Sequence, residues 1–158
     1  MTELEQLEQE LLKPSERLIA DIKKIEGDIM LLGVGGKMGP SMAKLAKLAV
    51  DQAGLKKRII GVSRFSDPSA REELEAAGIE TISADLLNED DLSALPDAAN
   101  IIYLAGTKFG TTGKEAFTWA MNAYLPGRVA ERYKHSKTVA CSTGNVYPFT
   151  EVSSGGFS

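Results

Sequence analysis

The sequence is poor in the residues that most often announce a function. Its single cysteine, Cys141, cannot close an internal disulfide, so a reducing, cytoplasmic setting is the natural expectation. Its single histidine, His135, falls between the last helical segment and the last strand-like one, and reads as a solvated helix-end residue. There is no basic excess: 18 Lys and Arg stand against 22 Asp and Glu, a net charge of -4. That argues against nucleic acid or an anionic membrane as partner. No apolar run approaches the roughly 20 residues of a membrane span. The acidic opening "MTELEQLEQE" lacks the basic start and apolar stretch of a secretory signal. Internal repeats and low-complexity tracts are absent too. What is present is 158 residues, 43% hydrophobic and 25% charged, the size and composition of one globular domain with a real core.

The first 27 residues read as a helical extension. Leu4, Leu7 and Leu11 share one helical face, and Thr2 with Glu5 fits a capping box. Pro14 and Ser15 end that helix and start another, in which Leu18, Ile22 and Ile25 recur at helical spacing until Gly27. Two solvated helices lying on the domain is the plain expectation; a homodimer contact through the leucine face is the sharper one.

From residue 28 to 158 the pattern is that of an α/β domain. "DIMLLGVGG" is a buried strand running into glycines. "GPSMAKLAKLAVDQAG" is a helix with Met38, Met42, Leu45 and Ala49 on one face and Pro40 in its first turn. Then come a second strand "KRIIGVSRF", a helix "DPSAREELEAAG" capped by Asp67, and a third strand "IETISADL". After the acidic turn "NEDDLSAL" follow a fourth strand "ANIIYLAG", a long helix from Lys114 to about Tyr133, and a fifth strand "KTVACST". Strands alternating with helices predict a parallel sheet covered on both faces. Five of them suggest a Rossmann-type, doubly wound sheet of order 3-2-1-4-5.

"GVGGKMG" places Gly33, Gly36 and Gly39 between the first strand and its helix. Glycine permits a tight turn and lets backbone N–H groups approach a pyrophosphate, which the helix dipole also favours. Strand, loop and helix in that order make the motif a nicotinamide-dinucleotide signal. The end of the second strand should meet the adenosine ribose. An acidic residue there would select NAD, but the chain has Ser63 and Arg64. Arg64 suits the 2′-phosphate of NADP, with Lys37 of the loop as a second positive charge. The expectation is therefore NADP over NAD.

Five pieces, "GVGGKMG", "SR", "ADL", "YLAGTK" and "STGNVYP", follow one another in an order and spacing that resemble the extended short-chain dehydrogenase/reductase family, also called the NAD-dependent epimerase/dehydratase family. The resemblance runs from Asp28 to about Pro148. It implies a cofactor site that includes Met38 with the glycine loop, and Asp85 and Leu86 beside the adenine. It also implies Leu104, Ala105 and Gly106 against the pyrophosphate and ribose, Lys108 toward the nicotinamide side, and Asn122 on the long helix. The family's Gly-Thr after that asparagine is replaced by Leu125-Pro126, and Pro126 should kink the helix because it cannot donate to the carbonyl four residues back. Thr143 matches the family's catalytic Ser/Thr, with Ser142 beside it.

The resemblance further implies a Tyr-x-x-x-Lys pair on a helix after Thr143. The chain's one such pattern, Tyr133 to Lys137, precedes the fifth strand and does not fit that role. Three expectations stay open: a structural domain whose glycine loop holds no cofactor, and two in which a cofactor binds. One is the cofactor half of an epimerase, dehydratase or reductase acting on a small-molecule substrate such as a nucleotide sugar or related alcohol, cut before its Tyr/Lys helix. The other is a non-catalytic dinucleotide-binding or sensor protein.

Overall fold

The computed structural model describes residues 6–7, 10–108, 110–142, 150–151, 153 and 155. Five strands build its sheet: β1 (Ile29–Leu32), β2 (Ile59–Ser63), β3 (Glu80–Ser83), β4 (Asn100–Tyr103) and β5 (Lys137–Ala140). All pairings are parallel, and the order is β3-β2-β1-β4-β5. This is the Rossmann-type arrangement expected from the alternation of strands and helices.

The connecting helices are α1 (Glu16–Ile22) before the sheet, α2 (Gly39–Gln52), α3 (Pro68–Ala76), α4 (Glu89–Ala94), α5 (Glu115–Trp119) and α6 (Leu125–Arg132). Side chains alternate across a strand, so β1 feeds both faces of the sheet. Met30 and Leu32 join Ile60, Val62, Ile101, Leu125 and Val129 on one side. Ile29 and Leu31 join Ala43, Val50, Ile59 and Leu74 on the other. Each fully buried leucine or isoleucine side chain contributes about 1.5–3 kcal/mol, and the apolar runs of β1 and β2 are the two most enclosed strands. β5 is the opposite case: all four of its residues are exposed.

Several local expectations need correction. The helix begun at Ser15, whose Oγ accepts from the Leu18 N–H at 3.1 Å, ends at Ile22 rather than at Gly27. Gly27, at φ +75°, instead turns the chain into β1, where a side chain would collide with Ala99. This second segment is not simply solvated, because Ile22 is buried with Leu18 and Ile25 packed around it. Leu7 and Leu11 are exposed, while Thr2, Leu4 and Glu5 lie outside the described residues. On α2 the buried positions are Gly39, Ala43, Ala49 and Val50, and Met38 stands exposed at the helix start. Small residues face the sheet there because the helix packs close to it. "NEDDLSAL" is a short helix, α4, rather than a turn: Asn88 caps it by accepting from the Asp91 N–H at 3.0 Å. Three carboxylates in its first turn favour the positive end of the helix dipole.

The expected kink at Pro126 is a π turn. Between α5 and α6, residues Ala120–Tyr124 widen, and the Leu125 N–H donates to the Ala120 carbonyl five residues back. Pro126 follows at the start of α6, within a continuous run of helical backbone, and has no N–H to give to a carbonyl of the turn before it.

Candidate functional site

The carboxyl ends of the strands open into a cleft of about 370 Å³. It lies where the strand order reverses, between the loop after β1 and the loop after β4, the place where open α/β sheets hold their ligands. The two loops touch. Gly33 has φ +89°, and a Cβ there would stand 2.7 Å from the Ala105 nitrogen.

The glycines of "GVGGKMG" do different jobs. Gly33 is required by its dihedral and by Ala105. Gly39 is buried under the loop, and a Cβ would overlap the Val34 carbonyl, 2.6 Å from its carbon. Gly35, which the motif reading passed over, is required by Ser63: a Cβ would overlap its hydroxyl and lie 3.2 Å from its Cβ. Gly36 is the exception. Its φ is outside the left-handed region, and a Cβ would make only an ordinary contact, 3.5 Å from the Gly33 oxygen. The fold packs nothing against this glycine, and it lines the cleft. Beside it, the N–H groups of Gly35, Lys37 and Met38 have no hydrogen-bond partner among the described residues, while those of Gly36 and Gly39 close turns onto Gly33 and Gly36. A bare cradle with free donors, at the N-terminus of a 14-residue helix, fits a phosphate group.

At the end of β2, Ser63 and Arg64 both line the cleft. Arg64 is exposed and makes no ion pair among the described residues. Two carboxylates stand with it. Asp67 was legible only as a helix cap, yet it also lines the cleft. Its Oδ1 accepts from the Ser69 hydroxyl at 2.7 Å and the Ser69 N–H at 2.9 Å, which hold its pKa below the usual 3.8. Asp85 accepts from the Leu87 N–H at 3.0 Å, and its own N–H donates to Asp91 at 2.8 Å, so the turn after β3 is braced at both ends.

The far wall comes from β4 and the segment after it. Leu104, Ala105 and Gly106 line the cleft, and Leu104 continues the sheet by donating to the Leu32 carbonyl at 2.8 Å. Asn122 is not a wall residue. From the π turn its amide grips one residue of the loop through both its backbone groups: Oδ1 accepts from the Thr107 N–H at 2.9 Å, and Nδ2 donates to the Thr107 carbonyl at 2.8 Å. It therefore fixes the loop that forms the wall. Phe117 and Met121, four residues apart and so on one helical face, supply apolar lining that the motif reading missed. Their spacing was the available signal.

The cleft thus brings together Gly33, Gly36, Ser63, Arg64, Asp85, Leu86, Leu104, Ala105 and Gly106 of the expected set. Lys37 and Met38 are exposed at the loop's rim, Gly39 is buried beneath it, and Lys108 is exposed on the loop after β4. Ser142 is exposed just beyond β5 and does not line the cleft. Thr143 lies outside the described residues. Tyr133 belongs to the opposite end of the sheet: it is buried, its hydroxyl donates to the Pro96 carbonyl at 3.2 Å, and Lys137 pairs with Asn100 at the start of β4. No helix among the described residues is long and apolar enough to cross a membrane. No protein-family model and no curated protein matches this chain.

Proposed function

We propose that this chain is the nicotinamide-dinucleotide-binding part of an NAD(P)-dependent epimerase, dehydratase or reductase of the extended short-chain dehydrogenase/reductase type. The observation that carries the reading is Gly36, a cleft-lining loop glycine that the packing leaves unexplained, beside the N–H groups of Gly35, Lys37 and Met38, which have no partner among the described residues. A pyrophosphate explains both features, since it needs a bare backbone surface and free N–H groups. The adenosine half then lies toward the ends of β2 and β3, with Asp85 and Leu86 beside the base. Arg64 at the ribose favours the 2′-phosphate of NADP. The nicotinamide half runs toward the Leu104–Gly106 wall, with Lys108 on the same loop. Bound there, the nicotinamide would supply hydride transfer to or from a substrate carbon.

For this chain's own residues the remaining task is to hold a substrate oxygen, which Thr143 and Ser142 can do through their hydroxyls. The substrate class is a nucleotide sugar or related alcohol, and the setting is the cytoplasm, with homodimer formation through the N-terminal leucines. The second reading is a non-catalytic dinucleotide sensor. It is favoured by one observation: Tyr133 is buried and, with the exposed Lys137, lies at the end of the sheet away from the cleft. The test is calorimetric titration of the protein with NADP and NAD. Binding of either, with a melting temperature that rises with ligand, is expected; at 100 times Kd the stabilisation is about 2.7 kcal/mol. Absence of binding by both would refute the reading.

A further inference from the structure

Phe65 is the one non-glycine residue with a positive φ among the described residues, at +46°. A bulky side chain in that region is a genuine outlier, and such strain persists only where the surroundings over-determine it. A turn alone would be better served by glycine or asparagine. Here the Phe65 N–H is directed at the Ser63 hydroxyl, 3.4 Å away, and the carbonyl of Arg64 accepts from Ser83 Oγ at 3.4 Å. The ring is half-buried. It packs against the core on the α2 and α3 side of the sheet and also lines the cleft. Leu86 and Leu87, which follow the neighbouring strand β3, also line the cleft.

We propose that Phe65 is a specificity-determining residue: an aromatic platform on which a purine base stacks. The inference rests on the dinucleotide reading above, because the end of the second strand is where a Rossmann-type sheet meets the adenosine half. The backbone at Phe65 is held in a costly conformation, and its side chain stays half-buried beside the cleft rather than fully buried in the core. Stacking on an aromatic ring accepts any base in principle, and the two-ring purine gains more contact than a pyrimidine.

ADP and UDP share the pyrophosphate and the ribose, so they isolate the base. Wild-type protein, Phe65→Leu and Phe65→Tyr are titrated with both by calorimetry. Leucine keeps an apolar group against the core but has no π face, and thermal melts of all three proteins check that folding is retained. The wild type should prefer ADP. Phe65→Leu should lose roughly ten-fold in ADP affinity and distinctly less in UDP affinity, and Phe65→Tyr should keep the wild-type preference. An ADP-to-UDP ratio unchanged by leucine, or equal losses for both nucleotides, would overturn the platform while leaving the dinucleotide reading standing. Failure of the wild type to bind ADP, NADP or NAD would overturn both.

Discussion

The glycine loop makes a contrast that separates binding from folding. Gly36→Ala places a methyl group 3.5 Å from the Gly33 oxygen, an ordinary contact, at a residue whose φ an alanine can adopt. Such a change commonly stabilises by about 0.4–1 kcal/mol through the unfolded chain. In a domain of this length 1 kcal/mol moves the melting temperature by about 2–4 °C, so Gly36→Ala should melt at or slightly above the wild type. Its methyl fills the cradle, however, and holds a pyrophosphate away from the neighbouring N–H groups. A charge-assisted hydrogen bond contributes about 1.5–3 kcal/mol, so losing one lowers dinucleotide affinity about ten- to a hundred-fold. Gly39→Ala should behave in the opposite way. Its Cβ would sit 2.6 Å from the Val34 carbonyl carbon in a buried position, and overpacking of this kind costs about 1–3 kcal/mol. Its melting temperature should fall by several degrees. The assay is thermal melting paired with calorimetric titration of NADP and NAD. Wild-type affinity in Gly36→Ala would refute the loop as the phosphate site. A large drop in its melting temperature would refute the view that the fold leaves Gly36 free.

Three further outcomes are expected. Arg64→Ala should weaken NADP about ten-fold while changing NAD little, read from the two binding isotherms, since one charge-assisted contact to the 2′-phosphate is removed; an equal loss for both cofactors would show that Arg64 does not discriminate. Asn122→Ala strips both partners from the Thr107 backbone groups and should lower stability by about 1–3 kcal/mol in denaturant unfolding, with unchanged stability contradicting the two-point grip. The Tyr103 hydroxyl is buried with no partner among the described residues, and burial pushes its pKa up to about 12. Tyr103→Phe should therefore be neutral or stabilising by up to about 1 kcal/mol, and an absorbance titration of the wild type should show at least one tyrosine still protonated at pH 11, since burial raises the pKa of Tyr133 as well.

The order of strands and helices could be read along the chain because each element carries its own short-range pattern. The apolar runs of β1 and β2, the Ser15 and Asp67 caps and the glycines after β1 all act within a few residues, and they appear where the sequence puts them. The strand end that carries Ser63 and Arg64 was legible for the same reason. What tertiary structure decided is everything that depends on residues far apart in sequence meeting. Nothing local distinguishes Gly36 from Gly33, Gly35 and Gly39; only Ser63, Ala105 and the folded-back Val34 carbonyl show which glycines the fold consumes and which it leaves for a ligand. Asp67 looked like a cap and nothing more until α3 was set beside the cleft. Asn122 found its partner at Thr107, fifteen residues away, through a π turn that helical periodicity does not encode. Phe65 lines the cleft at a positive φ that no local pattern announces. Local propensity and periodicity determine the elements, whereas a cleft is made of their ends, whose neighbours are chosen by the order of the strands.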